Sequence, residues 1–569
     1  MKQRTKINWE LETDFVSIGS GIGGLSGAIT AVNEGLKAVI FEKSDLVGGV
    51  TAFSFGEVWI GNSHVEKRVG LPDSFEDTVN YLNFLSSGFA VKENQDSFLY
   101  NSPLAAEYFE KEGVVRWKII KDFADYYFPK APGAKAQGRF LEVEPFPAKT
   151  LGEWQSRTRL SPHVPYGLTH DDMFGGGGPA SMQTWDYDMM NERLEADERC
   201  LGPGLAASFI KGALDRKIPI YTQSPVEEII SDADGNVIGV RAKRDGKDFY
   251  VRARKGVLVA TSGYDGNKEF ARYYEALPEW ETSTIASTTA GDNLRLSGEL
   301  GAATVGVPQS GMAILVGFHI PGEKQQDGSP LYRFAITELG LPHAMLVNRN
   351  GKRFSDESFY RDVISAMRIY DGQKQTFPNF PCYLIVDQRH RNKYPMGSLL
   401  PGQSFPEGFG VTAKTIRELG EKLEIDQNNL ESTVDHFNEM ASKGIDDDFH
   451  RGEFPWSNFM AGDLNNKPNP NLGSIENPPF YGIRLTIVGV GINSFGLKIN
   501  DQAQVINSKG NPIVGLYAAG NAAAYLDTGA GYQSGFANTR GMTYGWLAAK
   551  HVAGNPSRAV EAHQTVPGI

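Results

Sequence analysis

Cysteine is nearly absent from this chain: Cys200 and Cys382 are its only two in 569 residues. No Cys-x-x-Cys pair or Cys/His cluster exists, so the spacings that hold zinc or iron–sulfur clusters are missing, and so is a disulfide framework. No metal site is expected, and the usage fits a reducing cytoplasm. An excess of positive charge is also lacking. Lys and Arg total 56 against 68 Asp and Glu, a formal net charge of −12. A nucleic-acid binder needs the opposite balance; this one suits a small-molecule partner. No apolar run approaches the ~20 residues that cross a bilayer. The basic start, Met1 to Glu10, has no apolar stretch of signal-peptide type behind it. The expectation is a cytoplasmic protein, with loose attachment to a membrane surface left open. No Ser-His-Asp arrangement in a nucleophile-elbow context is visible, so hydrolase chemistry has no support.

What the chain has is glycine, 64 residues, and length enough for two large domains. Residues 14–19 read as a buried strand, 22–35 as a helix and 37–42 as a second strand, a βαβ unit of a parallel sheet. The turn is Gly19-Ser20-Gly21-Ile22-Gly23-Gly24. Gly19 permits the tight turn, Gly21 lets backbone approach a pyrophosphate, and Gly24 lets helix pack on strand. The helix N-terminus offers N–H groups and a positive dipole end to phosphate. Glu42 ends the second strand, where an acid accepts hydrogen bonds from ribose hydroxyls. Such an acid repels a 2′-phosphate, which argues against NADP. After it, Lys43 to Ala52 carries Gly48-Gly49 and Thr51, a glycine turn past the far end of the cofactor. Two later strands, 256–263 and 515–521, each stop at a small turn where backbone can touch a cofactor.

Elsewhere, a helix is expected over roughly 101–128, a long mobile Pro/Gly-rich excursion over 129–180, a helix over 203–215, strands over 218–261, and disorder after about 555. The expected architecture is α/β: a discontinuous Rossmann-like dinucleotide-binding domain (1–274 and 451–569) with an inserted α+β substrate or cap domain (275–450).

From Phe15 to about Ala553, these motifs resemble the FAD-dependent fumarate reductase/3-ketosteroid dehydrogenase superfamily. The segment from Val347 to Ser358 matches its cap pattern N-x-x-G-x-R-F-x-x-E. The resemblance implies non-covalent FAD contacted at Glu42, Thr51, Val226, Gly263, Asp292, Gly520 and Asn521, beside Gly19, Gly21, Gly23, Gly24, Lys43 and Gly49. In the fumarate reductase branch, arginine and histidine near the C-terminus grip a carboxylate. Here 487–540 holds no histidine, and Tyr532 stands where that arginine is expected; Arg361 and Arg540 are the remaining candidates. The ketosteroid dehydrogenase branch desaturates a ring ketone with tyrosines and a backbone N–H. On that model Tyr532 polarises the carbonyl, with Gly535 or Phe536 as backbone donor. The base stays open among Tyr360, Tyr127 and Tyr187, and His343 is a loop histidine. The segment Gly531-Tyr532-Gln533-Ser534-Gly535 departs from the Tyr-Pro-Gly-Pro-Gly form, and Phe359-Tyr360 departs from Pro-Tyr. The expected activity is desaturation of the α,β bond of a cyclic ketone, a steroid or a smaller ring, by a monomer or homodimer that hands electrons to an external acceptor. The alternatives are an enoate reductase and an electron-transferring flavoprotein subunit.

Overall fold

Where strands must be covered on both faces, their sequences turn continuously apolar. The last four residues of Leu11–Ile18, all of Ala38–Phe41 and the last four of Lys247–Val259 are buried. In this computed structural model, which describes residues 7–71, 73–277, 282–308, 314–325 and 328–557, these strands form the centre of one sheet. Its parallel order is Pro512–Ala518, Lys247–Val259, Leu11–Ile18, Ala38–Phe41, Ile220–Tyr221. Val226–Ser231 and Val237–Arg244 add an antiparallel meander onto Lys247–Val259. The sheet thus draws on both ends of the chain. Helices Ile22–Asn33 and Phe536–Val552 pack on it and on each other through glycine: a Cβ on Gly545 would meet Gly23 O at 2.3 Å, and one on Gly27 would meet Leu258 Cδ2 at 2.5 Å. Part of the high glycine content therefore serves close helix packing rather than turns.

A second, largely antiparallel sheet runs Pro330–Phe334, Ile314–Lys324, Phe480–Gly489, Cys382–Val386, Ala344–Asn348. Val411–Ala413 and Thr282–Ser283 also pair with Phe480–Gly489. Helices Ile416–Leu423 and Gln427–Lys443 cover it, packing Leu419, Leu430 and Phe437 against Met345, Val347 and Ile385. The central strand of this sheet, Phe480–Gly489, lies beyond the boundary expected at 450. Its local pattern fits either sheet, so chain order alone groups it with the segment from 451 onward.

A small third sheet, Val58–Trp59, Phe140–Val143 and Trp117–Ile119, lies beside the first. It corrects two expectations. The helix expected over 101–128 is Lys92–Lys111; Gly113 (φ +69°) ends it, and strand follows. The expected mobile excursion over 129–180 is pinned down by Phe140–Val143, whose four residues are all buried. Asn555 and Ser557 hydrogen-bond Glu34 and Asn101; the rest of the tail expected to be disordered lies outside the described residues. Among the described residues no helix is long and apolar enough to cross a membrane.

Candidate active site

One cavity begins at the glycine turn after Leu11–Ile18 and runs beneath the second sheet. Its first end is built from backbone. Gly19 holds φ +107° with Ala260 O where a Cβ would sit, 2.4 Å away, and a Cβ on Gly24 would lie 2.0 Å from Gly19 O. Gly21 faces open space, with only Thr51 Oγ1 within 4 Å of a Cβ position, at 3.7 Å. That side chain accepts from Ile22 N at 3.0 Å and so caps the helix start. Glu42 is buried at the strand end; Oε2 accepts from Ser20 N and Oγ at 3.1 and 2.6 Å, and Oε1 from Ser44 N at 2.9 Å. Lys43 Nζ and Asp292 Oδ2 pair at 2.7 Å on the cavity wall.

These residues fit a dinucleotide. Gly21 leaves backbone bare for phosphate, and the buried hydroxyls of Thr261 and Ser262 line the cavity without a hydrogen-bond partner among the described residues. Buried polar atoms of that kind call for a polar ligand. Gly23, Gly49, Val226, Gly520 and Asn521 line the same stretch. Gly263 and Gly24 do not. A Cβ on Gly263 would stand 1.4 Å from Asn493 Oδ1, so its part is to admit that side chain while Thr261 and Ser262 face the cavity.

The other end is built from side chains. Tyr126, Tyr360 and Tyr532 all line it and are all buried. Tyr360 OH donates to Tyr126 OH at 3.0 Å. Burial pushes the phenol pKa of all three above the ordinary range, and the Arg361 charge opposes it at each. The Arg361 guanidinium lies 6.0 Å from the Tyr532 ring centroid; its Nε and Nη1 have no hydrogen-bond partner among the described residues. Gly535, at φ +87°, is the N-cap of Phe536–Val552 and also lines the cavity, with Trp59 N 2.6 Å from its Cβ position. Gln533 ties this turn to the tyrosines: its Oε1 accepts from Tyr81 OH at 2.6 Å and from Tyr126 N at 3.3 Å.

Three expected groups stand elsewhere. Tyr127 is not on the cavity; it packs among Phe84, Phe359 and Phe454, while its neighbour Tyr126 takes the inward position. In a turn ending at Pro129 no periodicity separates the two. Tyr187 is 41% exposed. Arg540 is fully buried and committed, with Nε on Asp527 at 2.8 Å, Nη2 on Ala524 O at 2.7 Å and its guanidinium 3.7 Å over Tyr525. It is not free to grip a substrate carboxylate.

One cavity group had escaped the sequence reading. Glu57 lines the cavity among Phe55, Phe123 and Trp456, 4% exposed. Its Oε1 meets His170 Nε2 at 3.1 Å; His170 Nδ1 meets Glu142 Oε2 at 2.8 Å, and Lys118 pairs with Glu142 at 3.0 Å. Burial alone would lower the His170 pKa, but Glu142 and Glu57 more than reverse this and lift it to about 10. The available signal was an acid set inside an apolar run, Ala52 to Ile60. The histidine that makes it meaningful is 113 residues away.

Residues 14–537 match the family model described as FAD binding domain. The chain is 31% identical to a 3-oxosteroid 1-dehydrogenase of Mycolicibacterium smegmatis over 95% of this chain and 97% of that one. It is 30% identical to a 4-oxocyclohexanecarboxylate 2-dehydrogenase of Sinomonas cyclohexanicum, covering 95% and 93%. Among solved structures, a 3-ketosteroid Δ1-dehydrogenase from Sterolibacterium denitrificans superposes with a TM-score of 0.84 at 28% identity, covering 95% and 99%. With the glycine turns, the buried acid at the strand end and this likeness together, the chain belongs to the FAD-binding family and is an FAD-dependent oxidoreductase.

Proposed function

We propose that this protein desaturates the α,β C–C bond of a cyclic ketone. The observation that carries the reading is the continuity of one cavity from the dinucleotide turns to a cluster of buried tyrosine hydroxyls. The similar proteins named for 3-oxosteroids and for 4-oxocyclohexanecarboxylate support the substrate class. The first sheet, with contributions from both ends of the chain, is the FAD-binding domain, and the inserted sheet closes over it as the cap. FAD is held non-covalently at Gly21, Glu42, Thr51, Gly520 and Asn521; bound there, it supplies the hydride acceptor.

The chain's own residues have the harder task. A C–H beside a carbonyl is acidic only while the carbonyl oxygen is stabilised as charge develops on it. Tyr532 OH and the Gly535 backbone N–H supply that stabilisation, the second from a helix N-terminus. Tyr360 takes the α-proton. The neutral phenol donates to Tyr126 OH, a contact that together with burial disfavours ionisation; Arg361 favours the phenolate, to which the Tyr126 hydroxyl then turns and donates. The aromatic wall excludes water.

The test is an anaerobic titration of the purified flavoprotein with saturated and 4-ene 3-ketosteroids, cyclohexanone and succinate. Bleaching of the oxidised flavin band by a ketone is the expected result. Indifference to every ketone, with reoxidation of reduced enzyme by fumarate, would overturn the reading in favour of an enoate reductase working through Arg361.

A further inference from the structure

Proton abstraction leaves one charged group of the cavity unused. Glu57 stands at the tyrosine end, close enough that its charge raises the pKa of both Tyr126 and Tyr532. One carboxylate oxygen is held by His170. The other, Oε2, accepts no hydrogen bond among the described residues, and Phe55 and Phe123, which line the same cavity, lie against the His170 ring. A carboxylate oxygen facing an apolar pocket is costly unless a donor reaches it.

The surroundings say what kind of donor is missing. Two carboxylates, Glu57 and Glu142, already face two cations, His170 and Lys118. Lys118 and Glu142 oppose each other on neighbouring strands, and His170 begins the helix His170–Gly175, its own backbone N donating to Glu142 at 3.0 Å. The carboxylate is therefore fixed in direction and its charge is balanced from behind. What it lacks is a neutral hydrogen-bond donor, not a counter-ion.

We propose that Glu57 selects the substrate: its Oε2 accepts a hydrogen bond from a hydroxyl group carried by the ring ketone, and it turns away ring ketones that carry a carboxylate. This rests on the cyclic-ketone reading above and narrows it. A carboxylate brought to the same place would meet like charge in a poorly solvated pocket. A methyl group there would leave Oε2 dry and unpaired, and a site built to bind a hydroxyl discriminates strongly against the analogue without one.

The test compares near-isosteric ligands on the intact holoenzyme. Anaerobic flavin bleaching is followed with 3- and 4-hydroxycyclohexanone, their 3- and 4-methyl counterparts, and 4-oxocyclohexanecarboxylate. At least one hydroxy ketone should exceed its methyl counterpart in reduction efficiency by about tenfold or more, and the carboxylate should be the poorest. In Glu57→Ala the hydroxyl preference should vanish and the carboxylate should gain. Equal efficiency of hydroxy and methyl ketones with the wild-type enzyme overturns the proposal, as does a hydroxyl preference that survives in E57A. If the variant does not fold, the wild-type comparison still decides. Failure of every ketone to bleach the flavin would sink the cyclic-ketone reading and this proposal with it; bleaching without hydroxyl preference sinks this proposal alone.

Discussion

The two ends of the cavity are made of different material. At the nucleotide end the protein presents backbone: Gly19, Gly21 and Gly24 are needed because a Cβ there would strike a neighbouring carbonyl or fill the space in front of the helix. At the substrate end it presents side chains that no local rule requires: Tyr126 and Tyr532 from turns, Tyr360 from the first turn of a helix, and Glu57 from beside a short strand. The first kind of site tolerates no substitution but can bind only a generic feature, a phosphate or a ribose. The second can be altered one residue at a time, and there the substrate is chosen.

That difference predicts the sharpest contrast. Gly24→Val should abolish the flavoprotein, because any Cβ collides with Gly19 O at 2.0 Å and cannot move without breaking the strand–helix turn. Purified G24V, if any is recovered, should show no flavin absorbance. Normal FAD content in G24V would erase the difference between the two ends.

Tyr532→Phe should keep FAD and lose chemistry. Removing one oxyanion donor costs about 10²–10³ in rate, so the anaerobic bleaching rate should fall by that much while flavin content is unchanged. A drop confined to ligand affinity would assign Tyr532 to binding instead.

The adjacent tyrosines give a finer contrast. Tyr126→Phe removes the hydrogen bond that Tyr360 makes and should slow bleaching by about tenfold. Tyr127→Phe alters a group on the aromatic cluster outside the cavity and should stay within about twofold of wild type, since such changes usually cost little. The reverse order would return the catalytic position to Tyr127.

What was legible in the sequence follows the same division. The βαβ unit, its glycines and Glu42 were readable because their constraints are local: a strand, a tight turn and a helix start lie within 30 residues. Tyr532 and Gly535, which line the cavity, were singled out through the resemblance and the glycine turn that holds them. Tyr126 was not separable from Tyr127, since both sit in irregular backbone before a proline. Phe480–Gly489 was grouped with the nucleotide-binding segments because its pairing partners lie as far off as Thr282, beyond the reach of a local pattern. Glu57 became visible only when folding set it against His170, whose role depends on Glu142 from yet another strand.

The His170 network also gives the smallest and most specific prediction, one that concerns stability rather than rate. The histidine's folded-state pKa, about 10, lies above the ordinary 6.5. A group raised on folding stabilises most when the unfolded chain would also be protonated, so its contribution is complete below about pH 6.5 and drains away as pH rises through 10. Breaking a buried ion pair by removing one partner costs about 3–5 kcal/mol, so His170→Gln should lower the denaturation midpoint most near pH 6.5. Between pH 6.5 and 10 the wild-type curve should descend toward that of H170Q, and the gap should narrow. Glu142, held below the usual carboxylate range with His170 opposite it, acts on the acid side and leaves this window alone. Parallel curves across the window would mean that His170 is neutral in the folded protein. Glu57 would then face the pocket without a cation behind it, and the substrate end would need a charged ligand rather than a hydroxyl.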